Sequence, residues 1–409
     1  MKPIKSIYTT RIAPKDVLMQ KKRKDRGDAD GSSSSMMATS DNDLPQYPIK
    51  APTIGPLSKD AFYIPNFDPA IHLAFESPSR RYSFTELGLP RPQNAPNVCF
   101  TEPFQLFSEE GVRMMRRELF RKEFLDKYMR SWSRAPCYIS GHANHENEAT
   151  FIKQAWHHPA TQAAINEAFG AALKPLPREQ DLGYVNVQLG NEGLPGVYKY
   201  TEEPSKPLSP SEAAANIAKS EYDHIPVDAW HKDMVPVVCV LMLSDTSTME
   251  GGETAIKKAD GSIIKARGAK IGGAVLMQGG RTEHAALRAT NCPERVSMVT
   301  SYCFADPDAD DSCTTLRSVD PVNDDKPTLW NVYLEYKLKR LRDRIDTALE
   351  KLDKGKQQGE MPTRAEIEPW IKEQVTFLKM TSFELFERVP NYLLQEVPED
   401  VLRNYLSDV

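Results

Sequence analysis

The chain has 409 residues, 40% apolar and 27% charged, a balance that suits a globular protein able to bury a sizeable core without disulfide or metal staples. Its formal net charge is only -5, with both signs mixed along the sequence, which argues against a nucleic-acid partner and for a small or neutral substrate. No apolar run approaches the roughly 20 residues of a membrane-spanning helix and no secretory segment opens the chain, so no membrane partner is expected.

Residues 1–45, which include GDADGSSSSMMATSDND from Gly27 to Asp43, offer almost nothing to bury and are expected to form a disordered tail. Within it, Lys21, Lys22, Arg23 and Lys24 read as a solvated charge run rather than a nuclear-import patch. The prolines of YPIKAPTIGPLSKDAFYIPNF then rule out long helices, leaving an extended clasp on the domain surface. Ser108 before Glu109 and Glu110 is a helix cap, and Val112, Met115, Leu119 and Phe120 recur at helical spacing, which predicts one helix to about Trp132. His142 and His145 complete no ligand spacing and read as loop residues. A second helix is predicted from near Ala149; a third comes after His158-Pro159 and stops at Gly170, and the junction His157-His158-Pro159 reads as a cap. The whole segment 46–180 is expected to pack on a core formed by 181–310.

Between 181 and 310 the sequence turns to short apolar strands separated by Gly, Asp and Ser turns: YVNVQL, VPVVCVLMLSD, AVLMQ and RVSMVTSYCF. Both alternating sets of VPVVCVLML are apolar, so that strand is expected to be covered on both faces. Asn186 and Gln188 alternate on YVNVQL and share one face, which points either inward to a ligand or out to solvent. The irregular stretch from Gly190 to Val227 is a lid or disordered. Gly251-Gly252-Glu253-Thr254 lacks the lysine and helix of a phosphate loop and reads as a tight hairpin. After Asp320, Leu329, Val332, Tyr336, Leu341, Ile345, Leu349 and Leu352 form a helical stripe ended by Gly355, and a further helix spans Pro362 to Glu387. The charged run KLKRLRDR from Lys337 reads as a solvated face. The C-terminal helical segment, 311–409, can pack on the core or on a second subunit, so oligomerisation through it stays open. The six cysteines, Cys99, Cys137, Cys239, Cys292, Cys303 and Cys313, have no C-x-x-C pair and suit reduced thiols in an intracellular, cytoplasmic protein.

The chemistry concentrates in Trp230-His231-Lys232-Asp233, at the entrance to the longest apolar strand. In an extended chain, residues two apart lie on one side, roughly 7 Å from each other along the backbone, so His231 and Asp233 can approach one ion. His284, in GGRTEHAALRA, comes 51 residues after Asp233 and lies beyond AVLMQ, so a return strand brings it beside them. Two neutral imidazoles and a carboxylate on one face of a six-coordinate metal leave three positions open. Trp230 is expected to pack, buried, against His231. Arg295 and Ser297 stand two apart on RVSMV and supply a planar fork and a hydroxyl donor for a carboxylate. Zinc also accepts two histidines and an aspartate; the Arg295 and Ser297 pair favours iron.

The HKD, GGET, His284 and RVS segments resemble, in order and spacing, the H-x-D, distal histidine and R-x-S elements of the 2-oxoglutarate/Fe(II)-dependent oxygenase superfamily. The strings VVCVLMLSDTSTMEGGETAI and GAVLMQGGRTEHAALRA are similar to its fungal small-molecule biosynthetic members, and the likeness is clearest over about 180–305. The resemblance implies an α+β fold with a double-stranded β-helix, a jelly-roll barrel, at 181–310 between N- and C-terminal helices. It implies Fe(II) on His231, Asp233 and His284, O2 as co-substrate, and 2-oxoglutarate held by Arg295 and Ser297, with Asn186 and Gln188 as further candidates. The reaction implied is decarboxylation of 2-oxoglutarate to succinate and CO2 coupled to hydroxylation, desaturation or ring closure of a small metabolite, amino-acid-derived molecules included. Alternatives are a catalytically silent jelly-roll binding protein and an oxygenase acting on a peptide or protein.

Overall fold

The computed structural model describes residues 64–130, 137–178, 181–189, 227–267, 269–290, 292, 294–316, 326–387 and 399–407. The chain divides into two units, Met1–Leu44 and Pro45–Val409. The first unit, and with it the expected tail, lies outside the described residues, as do nearly all of the expected clasp and of the lid.

The N-terminal part comprises α1 (Pro69–His72), β1 (Arg81–Ser83), β2 (Val98–Thr101), β3 (Phe104–Gln105), α2 (Glu109–Leu119), α3 (Lys122–Tyr128), β4 (Met129–Arg130), β5 (Tyr138–Ile139), α4 (Thr150–His157) and α5 (Pro159–Phe169). Ser108 caps α2, its hydroxyl accepting from the Gly111 N–H at 3.1 Å. The single helix expected to run to Trp132 is instead two, because Arg121 is extended at ψ 142°. The buried Glu118 carboxylate, near the end of α2, accepts from the N–H groups of Phe151 and Ile152 at 3.1 and 2.9 Å and so caps α4 from a distance. His158 caps α5 through Nδ1, and Gly170 closes that helix at φ 78°. His142, expected in a loop, sits on a short 3-10 turn with its ring fully buried and its pKa pushed down to about 3 by burial, with Lys153 adding to the effect.

The core then runs β6 (Leu173–Pro175), β7 (Tyr184–Leu189), β8 (Asp228–His231), β9 (Val237–Met242), β10 (Glu250–Gly251), β11 (Thr254–Lys257), β12 (Ile263–Ala266), β13 (Gly273–Met277), β14 (His284–Ala286), β15 (Ala289–Thr290) and β16 (Glu294–Phe304). A ten-stranded sheet has the order β1-β2-β13-β9-β16-β7-β5-β4, with β3 on β13 and β6 on β16; a four-stranded sheet has the order β12-β11-β14-β8; β10 pairs with β15. The large sheet is apolar on both sides, as its sequence predicts. Cys239, Leu241, Val185 and Met298 pack in one cluster with Met115, Trp156 and Ile165 of the helices, while Val238, Val275 and Met277 pack in another with Ile256 and Ala266 of the small sheet.

The fold is thus a mixture of helices and antiparallel sheet. No closed barrel is found at 181–310 among the described residues: β8, β11, β12 and β14 pair with one another in a sheet separate from the large one. The GGET segment is a corner rather than a hairpin: Gly251 pairs with Ala289, whereas Thr254 pairs with Ala266 and Ala286. Gly251 and Gly252 make that corner at φ 74° and 72°, where a side chain would be strained.

At the C-terminal end lie α6 (Lys326–Gln358), α7 (Arg364–Ser382) and α8 (Glu399–Leu406). Gly355 falls inside α6 rather than at its end. The expected apolar stripe splits: Leu329 and Tyr336 are buried, but Ile345 and Leu349 are 42% and 52% exposed. Conversely, Lys337, Arg340 and Arg344 of the run expected to be solvated are buried. Lys337 Nζ lies 2.6 Å from Asp311 Oδ2, the Tyr336 hydroxyl donates to Asp311 Oδ1 at 2.7 Å, and Arg340 donates to the carbonyls of Phe304, Asp306 and Ala309. Those acceptors beyond β16 select the cationic face of α6 for docking. No helix among the described residues is long and apolar enough to cross a membrane.

Candidate metal centre

Strands β8 and β14 are neighbours, and their register sets His231 opposite His284, with ring centroids 4.3 Å apart. His231 ends the short β8 instead of entering the long strand, and Asp233 lies between β8 and β9. The Asp233 N–H donates to the Gly279 carbonyl at 3.0 Å. Its Oδ1 then lies 3.3 Å from His231 Nε2 and its Oδ2 3.5 Å from His284 Nε2. One ligand atom from each of the three residues falls within 4.8 Å of the others.

Backbone carbonyls orient both rings. His231 Nδ1 is 2.5 Å from Ala229 O, and His284 Nδ1 is 2.9 Å from Thr282 O. A carbonyl only accepts, so each Nδ1 carries the proton and each Nε2 turns its lone pair to the shared carboxylate. Burial, with His231 adding to it, holds the His284 ring below the usual imidazole range despite Asp233, so it is neutral at physiological pH. Two imidazole nitrogens and one carboxylate converging in this way fit a divalent ion with nitrogen and oxygen ligands.

Gly279, which sequence reasoning missed, makes the convergence sterically feasible. A Cβ there would lie 1.8 Å from Asp233 Oδ2 and 3.2 Å from His284 Cε1. Its only signal was the pair Gly279-Gly280 between an apolar strand and the distal histidine. Trp230, expected to be buried against His231, is 41% exposed.

The four residues singled out for the co-substrate form a second cluster. In the β7–β16 register Gln188 faces Arg295 and Asn186 faces Ser297, which puts all four side chains on one face of the sheet. All four are buried. Arg295 Nε donates to Gly252 O at 2.9 Å and Nη1 to Ser297 Oγ at 3.1 Å. Burial pulls its guanidinium down to about 10, so it stays charged at neutral pH. The Gln188 amide is committed to the Ala289 backbone, donating to O at 2.7 Å and accepting from N at 2.8 Å, and therefore braces β15. Asn186 Oδ1 is buried without a hydrogen-bond partner among the described residues.

Asp228 links the clusters: its Oδ1 is 3.5 Å from His231 Nδ1, and its charge acts on Arg295. A cavity of about 120 Å³ beside Arg295 is lined by Val240, Met242, Met249, Thr254 and Val275; His231, Asp233 and His284 lie outside its wall. The start of β16 is held from behind by a buried ion pair, Arg116 Nη1 to Glu294 Oε1 at 2.6 Å, and by the Ser244 hydroxyl at 3.1 Å from the same oxygen.

No family model matches the chain, and no curated protein does. Solved structures similar to it include an oxidoreductase of the 2OG-Fe(II) oxygenase family from Burkholderia pseudomallei, at TM-score 0.26 and 13% identity over 43% of this chain and 65% of that one. Others are the non-heme alpha ketoglutarate dependent epimerase SnoN from nogalamycin biosynthesis (TM-score 0.29, 12% identity, 48% and 74% covered) and a prolyl 4-hydroxylase from Phytophthora capsici (TM-score 0.30, 13% identity, 82% and 99% covered). The chain spans just under two thirds of the Burkholderia protein's length. Likeness at these scores places the chain in no family, and the reading of the site rests on its own geometry.

Proposed function

We propose that the chain is a non-haem oxygenase that uses Fe(II), 2-oxoglutarate and O2 to oxidise a small metabolite. The observation that carries this reading is the cross-strand pairing of His231 with His284, both Nε2 atoms turned to the Asp233 carboxylate, beside a buried guanidinium. Zinc suits the same three ligands. Arg295 and Ser297 favour iron, because a buried planar fork suits the carboxylate of an anionic co-substrate.

With iron and 2-oxoglutarate bound, O2 would supply the oxidising power, leaving succinate and CO2 as by-products. His231, Asp233 and His284 would hold the ion from one side and leave its other positions open. The Nδ1 bonds to Ala229 and Thr282 keep the two rings from turning. Arg295, aimed by Gly252 O and Ser297 Oγ, would take the distal carboxylate of the co-substrate through its remaining N–H donors. The apolar inner faces of β9 and β13 exclude water from that grip. The sequence resemblance supports a metabolite of fungal biosynthesis as substrate, amino-acid-derived molecules included.

The test is direct. His231→Ala and Asp233→Ala should each abolish Fe(II) binding in anaerobic calorimetry and stop 2-oxoglutarate-dependent succinate release, with circular dichroism unchanged. Full succinate release by either variant overturns the assignment.

A further inference from the structure

Arg178 is a second buried guanidinium near the triad, with no part in the function proposed above. Its side chain is fully buried, and Nε donates to Asp181 Oδ2 at 2.5 Å. Nη1 and Nη2 are also buried and have no hydrogen-bond partner among the described residues. One of its five N–H donors is thus used. A desolvated cation with idle donors is unfavourable unless an acceptor meets it.

Its place in the fold points inward. Leu176, two residues earlier, donates its N–H to Ser301 O at 2.9 Å and packs in the inner cluster with Val235 and Val238. Asp181, whose carboxyl is raised by burial, is close enough to Asp233 for that charge to raise it further. Ser301 comes six residues after Arg295 on β16, about 20 Å at roughly 3.3 Å per residue. Leu176 is thus held near the far end of β16, and Arg295 stands at its start. Asp228 acts on Arg295, and Asp233 acts on Asp181, the partner of Arg178.

We infer that Arg178 anchors a carboxylate on the substrate, which makes the substrate class small aliphatic carboxylic acids. The two idle Nη groups form a planar fork that matches a carboxylate. Asp181 leaves the pair with no net charge, which disfavours a dianionic phosphate, and Leu176, Val235 and Val238 offer the neighbouring surface to an alkyl chain. The inference rests on the oxygenase reading for the oxidation of the bound acid, not for its binding.

The experiment uses the full chain labelled with 15N-arginine, with the Arg178 Nε–H signal assigned by comparison with R178K. In the presence of saturating 2-oxoglutarate, butanoate should shift that signal saturably and butanamide should not. Calorimetry should find butanoate bound at least tenfold more weakly by R178Q. No saturable shift, an equal response to the neutral amide, or a shift produced by 2-oxoglutarate itself overturns the inference, and the wild-type titration decides even where a variant fails to fold. Succinate release by the wild-type protein separates the two readings. Its absence with butanoate binding intact defeats the oxygenase alone, whereas succinate release without butanoate binding defeats the Arg178 site alone.

Discussion

Replacing Gly279 with alanine tests the proposed metal centre without touching a ligand. The new Cβ would stand 1.8 Å from Asp233 Oδ2, where ordinary contact begins near 3.4 Å, so the carboxylate has to retreat by about 1.6 Å. Metal–ligand distances tolerate about 0.2 Å, so such a retreat takes Asp233 out of the coordination sphere. His284 Cε1, at 3.2 Å, is crowded by only a few tenths of an ångström. Gly279 is not among the residues of positive φ, and alanine adopts its backbone without left-handed strain. The expected result is a loss of Fe(II) affinity of about 100-fold or more, the upper end of what displaced supporting groups produce, with little change in the melting temperature of the metal-free protein. Anaerobic calorimetry and a thermal melt measure the two quantities on one sample. Wild-type affinity within a few-fold in Gly279→Ala would refute the geometry of the site.

Arg295→Lys should raise the 2-oxoglutarate requirement strongly and leave Fe(II) affinity nearly unchanged, because lysine cannot keep both the Gly252 and the Ser297 contacts; a titration of succinate release against 2-oxoglutarate checks it. Asp311→Asn should destabilise the protein by about 3–5 kcal/mol in chemical denaturation, since it leaves Lys337 buried without its counter-charge. In the native protein burial raises the Asp311 carboxyl, but Lys337 and Arg340 outweigh it and hold the group below the usual range. Its contribution is therefore complete above the unfolded value near 3.9 and is lost as pH falls through the lower folded value. A wild-type acid-denaturation curve no steeper below about pH 4 than that of Asp311→Asn would show that the network does not operate.

Local signals read well from the sequence. Ser108, His158 and Gly170 act where their chemistry places them, and YVNVQL is a strand from Tyr184 to Leu189. What joins distant residues read less well. The break after Phe120 has no glycine or proline to announce it, since Glu118 is drawn to the start of α4 by donors more than 30 residues away. The pairing of Gln188 with Arg295 and Asn186 with Ser297 depends on a register that alternation alone does not set. Lys337, Arg340 and Arg344 share a helical face with Leu329 and Tyr333, a spacing visible in the sequence. Their burial is set by distant partners, Asp311, the carbonyls at and beyond the end of β16, and Gln374 and Phe377 of α7. Arg178 carried no motif, and Gly279 stood in GGRTEHAALRA with nothing to mark its closeness to Asp233.

The small sheet has a consequence for how the protein breathes. Strands β14 and β8 have three and four residues, and their pairing is interrupted by an irregularity between His284 and Ala286. Few ladder bonds hold them, whereas β16 has eleven residues flanked by β7 and β9. An ion bound by His231 and His284 would act as a clasp across this short seam, lowering the population of its opened form. Amide protons of 228–231 and 284–286 should then exchange with solvent markedly more slowly once metal is added, while those of β16 stay protected throughout. Equal exchange of the small sheet with and without metal would mean that the seam holds by its own packing.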